Sequence, residues 1–134
     1  MADTKMRDYE KWAQSLRNYE WLGKVVPGAM DVDVFIERRG HFLVLEAKPW
    51  SKGVNVGFGQ HLALSALAKL DEFDVYLIGE VEGKDTLYVV RYDDREPVKS
   101  GTKPVWFPPR RFQRTTKEGL RILVESWYEE ASAA

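Results

Sequence analysis

The stretch VDVFIERRGHFLVLEAK, residues 32–48, decides the fold of this 134-residue chain. Residues 32–36 alternate and are rich in β-branched side chains, which is typical of a strand, and Arg39-Gly40 is a turn signal. Residues 41–47 (HFLVLEA) are almost continuously apolar, as expected of a strand that is covered on both faces. We therefore predict a β-hairpin at the centre of a sheet.

The same stretch gathers charged side chains at one end of the hairpin. Asp31 and Asp33 are two residues apart on an extended segment and can point to the same face, as can Glu46 and Lys48. The turn brings the second pair back beside Asp33. A lone ionised side chain in a buried sheet costs several kcal/mol, and crowded carboxylates respond with a raised pKa or a bound hard cation. This pattern predicts a cation site.

The types of candidate ligand predict which cation the site binds. The chain has no Cys, and no His lies close to this pattern, so an oxygen-only set suits Mg²⁺ or Mn²⁺ better than Zn²⁺. Such an ion supports phosphodiester hydrolysis, in which the Lys48 ammonium orients the attacking water and stabilises negative charge in the transition state. The alternative is that Lys48 only neutralises Glu46 on an edge strand, because Glu-x-Lys is frequent by chance.

Periodicity and turn signals predict the remaining elements. Helices are predicted over about 6–20 and 60–70, and a last amphipathic helix after the capping-box spacing of Thr115 and Glu118. An extended piece is expected around 24–26 and further strands over 75–78 and 87–92. Residues 49–59 read as a loop, and four prolines between 97 and 109 exclude regular central structure. We predict a single domain spanning residues 1–134.

Composition limits the setting. Twenty Lys and Arg against 21 Asp and Glu give a formal charge of −1, so any basic surface for nucleic acid must be local. Zero cysteines exclude disulfides, thiolate metal sites and a thiol nucleophile. No apolar stretch approaches 18 residues and there is no signal-peptide pattern, so we expect a soluble cytoplasmic protein without a membrane partner.

Asp33, twelve intervening residues, Glu46-Ala47-Lys48, a Gly-rich loop and a Gln-bearing helix together resemble the PD-(D/E)XK nuclease superfamily. Within it the chain is most similar to the virus-type replication-repair (VRR-NUC) nuclease family and to archaeal-type Holliday-junction resolvases. The resemblance covers about residues 6–79. It implies an α/β, restriction-endonuclease-like core of order α-β-β-β-α-β, a mixed sheet flanked by helices. An extra hairpin strand, a Pro-rich basic strap and a C-terminal helix would follow over about 86–130.

One departure affects the metal ligands. The superfamily's usual proline before the motif aspartate is Val32 here, which leaves Asp31 or Asp33 as the ligand, and the spacing favours Asp33. The resemblance implies that Asp33 and Glu46 bind Mg²⁺, with Mn²⁺ as a substitute, aided by the Ala47 carbonyl. It also makes Glu20, at the end of the first predicted helix, a candidate further ligand; a solvated helix end is the alternative.

Gln60 is the fourth predicted catalytic residue, with Asp33, Glu46 and Lys48. It shares a helical face with Leu64 and Leu67, so we expect it to face the sheet. In the resembled families a Gln at the start of this helix completes the active site by positioning water or substrate. The alternative is that its amide only satisfies free backbone groups at the helix start.

Local positive charge predicts the DNA-binding surface. Between Pro97 and Glu118 there are six Lys and Arg and no acidic residue, interleaved with aromatic residues that can stack on bases. The predicted DNA-binding residues are Arg38, Arg39, Lys52, Lys103, Arg110, Arg111 and Arg114. The alternative is a solvated strap whose aromatic residues cap the core.

These features predict a Mg²⁺-dependent deoxyribonuclease, a structure-selective endonuclease for Holliday junctions or other branched DNA in replication, recombination or repair. The resemblance implies products with a 5′-phosphate and a 3′-hydroxyl, and a phage-encoded origin in the host cytoplasm. A homodimer through Trp127 and Tyr128 of the last helix is expected, unless these residues close the core of the monomer. The alternatives are an exonuclease on single-stranded or duplex DNA ends, and an inactive DNA-binding or interaction module.

Overall fold

A computed structural model describes residues 32–92 and 104–134 of the chain, which belong to one unit, Val32–Ala134. The predicted helix over 6–20, the extended piece near 24–26, and the residues Glu20, Asp31 and Lys103 lie outside the described residues. No helix in the described ranges is long and apolar enough to cross a membrane.

The described residues form seven strands, two α-helices and one 3₁₀ helix. In chain order these are β1 (Val34–Arg38), β2 (His41–Pro49), β3 (Val54–Val56), α1 (Phe58–Ala68), β4 (Phe73–Glu80), β5 (Thr86–Arg91), β6 (Val105–Phe107), the 3₁₀ helix (Pro109–Arg111), β7 (Gln113–Thr116) and α2 (Lys117–Ala133).

Five of the strands form a mixed sheet in the order β1-β2-β4-β5-β7. Strands β2 and β4 are parallel and the other neighbours are antiparallel. A parallel pair needs a crossover connection, and here β3 and α1 supply it. The described part is therefore mixed α/β, a five-stranded mixed sheet flanked by two helices, which confirms the predicted class at this level.

The predicted hairpin is confirmed, but its central position is wrong. Arg39 and Gly40 have φ of 51° and 82°, the left-handed geometry of a two-residue hairpin turn, and pair β1 with β2 in the register Arg38↔His41 to Val34↔Leu45. β1 lies at the sheet edge because the crossover places β4 on the other side of β2. β4, and not the hairpin, is the central strand.

Both faces of the sheet are covered. Four consecutive residues of β2, from Leu43 to Glu46, are buried, as predicted for a strand covered on two sides. On one face Leu43 and Leu45 join a core cluster that α2 completes with Trp127 and Ala131. Because side chains alternate along a strand, Glu46 and Lys48 project from the opposite face.

Two predicted irregular segments contain strands. β3, within the predicted loop 49–59, pairs with β6, within the Pro-rich segment, to form a separate two-stranded sheet. β7 was not predicted; it extends the edge of the main sheet by pairing with β5. Helix α2 begins one residue later than the capping-box spacing indicated: Thr116, and not Thr115, is the N-cap and accepts a hydrogen bond from the Gly119 N–H at 3.1 Å.

Candidate active site

The end of the hairpin opposite its turn holds Asp33 against β2. Asp33 lies in a bend just before β1, and its Oδ2 accepts a hydrogen bond from the Ala47 N–H at 2.7 Å. Continued by one residue, the register Val34↔Leu45 places Asp33 opposite Glu46. The N–H and C=O of one residue in an extended strand point to the same side, so the Ala47 carbonyl also faces Asp33.

Glu46 is a buried carboxylate, only 5% exposed. Its Oε1 lies 3.5 Å from Lys48 Nζ, and its Oε2 has no hydrogen-bond partner in the described part of the chain. Burial raises the pKa of Glu46, and the negative charge of Asp33 raises it further. Lys48 and the Gln60 amide lower this pKa, but they do not offset the burial.

Lys48 and Gln60 approach the same carboxyl from two elements. Lys48 follows Glu46 by two residues on the same face of β2, and its side chain is 26% exposed, so the ammonium reaches solvent. Gln60 is the third residue of α1, which begins after the N-cap Gly57, and its half-buried side chain lies close enough to the Glu46 carboxyl to lower its pKa. The structure therefore brings Asp33, Glu46, Lys48 and Gln60 together.

The donor set fits a hard divalent cation. Mg²⁺ is commonly bound through one or two carboxylates and keeps several waters, and Asp33, Glu46 and the Ala47 carbonyl are all oxygen donors. The unpartnered Oε2 of Glu46, beside a second negative charge, is the atom that a cation would satisfy. Within residues 32–92 and 104–134 no three His, Cys, Asp or Glu side chains cluster as a metal site. The predicted further ligands Glu20 and Asp31 lie outside these ranges.

Two predicted DNA-binding arginines lie far from this site. Arg38 Nε donates to Ser132 Oγ at 2.8 Å, its guanidinium lies 5.0 Å from the Tyr128 ring centroid, and Arg39 Nη1 donates to the Ser132 carbonyl at 2.9 Å. Arg38 lies five residue steps along the extended chain from Asp33, which is about 17 Å. Both arginines lie in the predicted hairpin, but at its turn, where they tie the turn to α2. Their assignment to DNA binding stays a prediction.

The other predicted basic residues lie in the loop after β2 and around β7. Lys52, Arg110 and Arg114 are exposed, and no described residue pairs with their charges. The Arg111 guanidinium lies 5.1 Å from the Phe107 ring centroid and is half-buried. Lys103 lies outside the described residues.

An aromatic pair next to the site was missed by the sequence reasoning. Trp50 stacks on Tyr88 with ring centroids 3.8 Å apart and planes at 7°, and Phe112 packs edge-on against it. The Trp50 ring occupies the space over Gly79, where an added Cβ would lie 2.5 Å from it. The available signal was Gly79 itself, because a glycine inside an apolar strand often marks a close approach.

His61, the residue after Gln60 in α1, is buried. It is 1% exposed, and its Nδ1 is hydrogen-bonded to the Tyr92 hydroxyl. Burial raises the pKa of Tyr92. The residue following Gln60 is thus part of the packing that fixes α1 on the sheet.

Trp127, a predicted dimer contact, is buried in the core and donates from Nε1 to Asp74 Oδ2 at 2.9 Å. It therefore closes the core of the monomer, which was the alternative interpretation. Tyr128 is 43% exposed and lies under the Arg38 guanidinium.

Comparisons with protein-family models, curated proteins and solved structures gave no match to this chain. The functional argument therefore depends on the geometry of the site.

Proposed function

We propose that the protein is a Mg²⁺-dependent deoxyribonuclease with a restriction-endonuclease-like fold. The observation that carries the proposal is the buried Glu46 carboxylate, whose Oε2 has no described partner although Asp33, Lys48 and Gln60 surround it. A protein gains nothing in stability from this arrangement, because a buried ionised group and two neighbouring carboxylates both oppose folding. Unfavourable electrostatics of this kind are concentrated at functional sites.

Each residue has a role in hydrolysis. Asp33, Glu46 and the Ala47 carbonyl would hold the ion, which when bound supplies positive charge to a phosphate oxygen and lowers the pKa of water. Lys48 orients the attacking water and stabilises the extra negative charge on the phosphate, and Gln60 positions the water or the substrate. The water oxygen bonds to phosphorus and releases its proton to solvent, and the bond from phosphorus to the 3′-oxygen breaks. The products carry a 5′-phosphate and a 3′-hydroxyl, the latter protonated from solvent.

The proposed substrate is branched DNA such as a Holliday junction. A site at the open end of a hairpin, with exposed Lys52 in the loop after β2 and exposed Arg110 and Arg114 around β7, supports binding to a phosphate backbone. A homodimer would present two such sites to two strands of one junction, and light scattering of the purified chain tests it.

The direct experiment compares cleavage of four-way-junction, single-stranded and supercoiled DNA in Mg²⁺, Mn²⁺ and EDTA. We expect metal-dependent cleavage that Glu46→Gln and Lys48→Met each reduce by about a hundredfold or more. Matched controls are Glu129→Gln and Lys69→Met, which make the same changes at exposed positions of α2 and after α1. Full activity of both active-site variants would refute the assigned site.

The choice of DNA separates the alternatives. Preference for linear ends over supercoiled or junction DNA would identify an exonuclease using the same four residues. Binding without cleavage in either metal would instead identify an inactive DNA-binding module of the same fold.

A further inference from the structure

A straight row of residues connects the candidate site with an unpaired arginine on the opposite edge of the sheet. In the observed register Lys48 pairs with Gly79, Gly79 with Tyr88, and Tyr88 with Arg114. Paired residues of neighbouring strands project from the same face, so this row lies on the face that carries Glu46. We call these four residues, with Trp50 above Gly79, the cross-sheet row.

The two ends of the cross-sheet row are charged and its middle is aromatic. Lys48 lies at one end, and Arg114 at the other is exposed and has no ionic partner in residues 32–92 and 104–134. Between them the missing side chain of Gly79 leaves a slot, which the Trp50 ring fills while stacking on Tyr88. Two cations separated by a flat aromatic surface match a polynucleotide strand, whose phosphates alternate with bases and sugars.

The length of the row excludes a single phosphate as the common ligand. Neighbouring strands are about 4.8 Å apart, so three steps separate the Lys48 and Arg114 backbones by about 14 Å. A phosphate bound by Arg114 is therefore a different phosphate of the polynucleotide from the one beside Lys48. The row thus requires a substrate several nucleotides long.

We propose that one DNA strand crosses the sheet along the cross-sheet row, with the scissile phosphate beside Lys48 and a more distant phosphate of the same strand on Arg114. This inference rests on the proposed function. It adds the path of the DNA strand over the sheet and names Arg114 as the residue whose phosphate contact requires a substrate several nucleotides long. Arg114 binds substrate and takes no part in bond breaking. The Trp50 and Tyr88 rings form the surface over which the strand passes.

The first test measures binding. Fluorescence anisotropy with a labelled single-stranded oligonucleotide compares Glu46→Gln with Glu46→Gln/Arg114→Met over a range of salt concentrations. We expect the second substitution to weaken binding about tenfold and to reduce the slope of log K against log salt by about one. Glu46→Gln/Arg114→Lys, which keeps the charge, should retain most of the slope, and Glu46→Gln/Lys69→Met should match the parent. Equal affinity and slope with and without Arg114 would overturn the proposal.

The second test measures substrate length. For wild type, Arg114→Met and Lys69→Met, kcat/KM is compared between the oligonucleotide and the small diester bis(para-nitrophenyl) phosphate. We expect Arg114→Met to lower the ratio of oligonucleotide to small-diester activity about tenfold and Lys69→Met to leave it unchanged. An unchanged ratio in Arg114→Met would overturn the proposal. A wild-type chain that hydrolyses neither of these substrates nor a four-way junction would refute the proposed function. The anisotropy comparison alone would then test whether DNA binds along the cross-sheet row.

Discussion

Asp33 Oδ2 accepts a hydrogen bond from the backbone N–H of Ala47 at 2.7 Å, across a sequence separation of 14 residues. This contact closes the open end of the hairpin and fixes the Asp33 carboxylate next to the buried carboxyl of Glu46. It leaves Asp33 Oδ1 free to act as a ligand. The same bond that completes the hairpin therefore also creates the electrostatic conflict at the site.

Replacing Asp33 should change the titration of Glu46. Asn can accept the Ala47 hydrogen bond but carries no charge, so Asp33→Asn should keep the hairpin and lower the pKa of Glu46 towards its ordinary 4.5. Asp33→Ala should lower this pKa too and also cost about 1 kcal/mol of unfolding free energy, because it removes the acceptor. NMR titration of the Glu46 carboxyl carbon measures the first effect, and an unchanged pKa in both variants would contradict it.

Glu46 should make stability fall as pH rises. Because its folded-state pKa is raised above 4.5, the folded chain binds more protons than the unfolded chain just above that pH. The free energy of unfolding therefore decreases as the pH rises from 4.5 to the raised pKa of Glu46. At higher pH the protein stays less stable by this amount. Glu46→Gln removes this loss of stability, so in EDTA this variant should melt above wild type at neutral pH.

Melting below pH 4.5 provides a control for the stabilising effect of Glu46→Gln. Below pH 4.5 the wild-type carboxyl is protonated in both states, and the difference in Tm between the two proteins should shrink. Glu129→Gln, at an exposed position, should show no such pH-dependent difference. A Glu46→Gln variant that is less stable than wild type by the same amount at every pH would contradict the raised pKa.

Two Gly→Ala substitutions should have opposite effects on the free energy of unfolding. At Gly79 the new Cβ would lie 2.5 Å from the Trp50 ring, so Gly79→Ala should displace Trp50 from Tyr88 and cost about 1–3 kcal/mol. At Gly59, in the first turn of α1, nothing lies within 4 Å of the new Cβ, so Gly59→Ala should stabilise by up to about 1 kcal/mol. Urea denaturation measures both, and near-ultraviolet circular dichroism should report the lost stacking only for Gly79→Ala.

Substitution of Arg38 should affect stability alone, and substitution of Arg114 should affect DNA binding alone. Arg38→Met loses the Ser132 hydrogen bond and the Tyr128 contact, so it should cost about 1 kcal/mol of stability and leave DNA affinity unchanged. Arg114→Met should do the reverse, because Arg114 is exposed and unpaired among the described residues. Thermal melts and anisotropy on the same preparations check both, and a loss of DNA affinity in Arg38→Met would return that arginine to the binding surface.

Local signals predicted the elements that local physics dictates. Side-chain alternation and one two-residue turn at Arg39-Gly40 predict the hairpin and the end at which Asp33 meets Glu46. The continuous apolar run predicts that β2 is covered on both faces. The position of the hairpin at the sheet edge depends on where β4 pairs after the crossover. Pairing partners 30 or more residues apart leave no periodic signal in the strand itself.

The same reason explains the missed elements. β3 and β6 are three residues each and exist as a pair, so neither has enough sequence to be recognised alone. The burial of His61 likewise depends on a distant residue, because Tyr92, 31 residues away, supplies its hydrogen-bond partner. Gln60 was placed correctly against the sheet because helix periodicity reports the buried face.

Binding of Mn²⁺ to the full chain, followed by electron paramagnetic resonance of the free ion, tests whether the two carboxylates share a divalent cation. Wild type and Glu129→Gln should bind Mn²⁺ equally, Asp33→Asn and Glu46→Gln should each weaken binding about tenfold or more, and Mg²⁺ should compete. If wild type binds Mn²⁺ no more tightly than Glu46→Gln, the two carboxylates do not form a metal site and the proposed hydrolysis loses its basis.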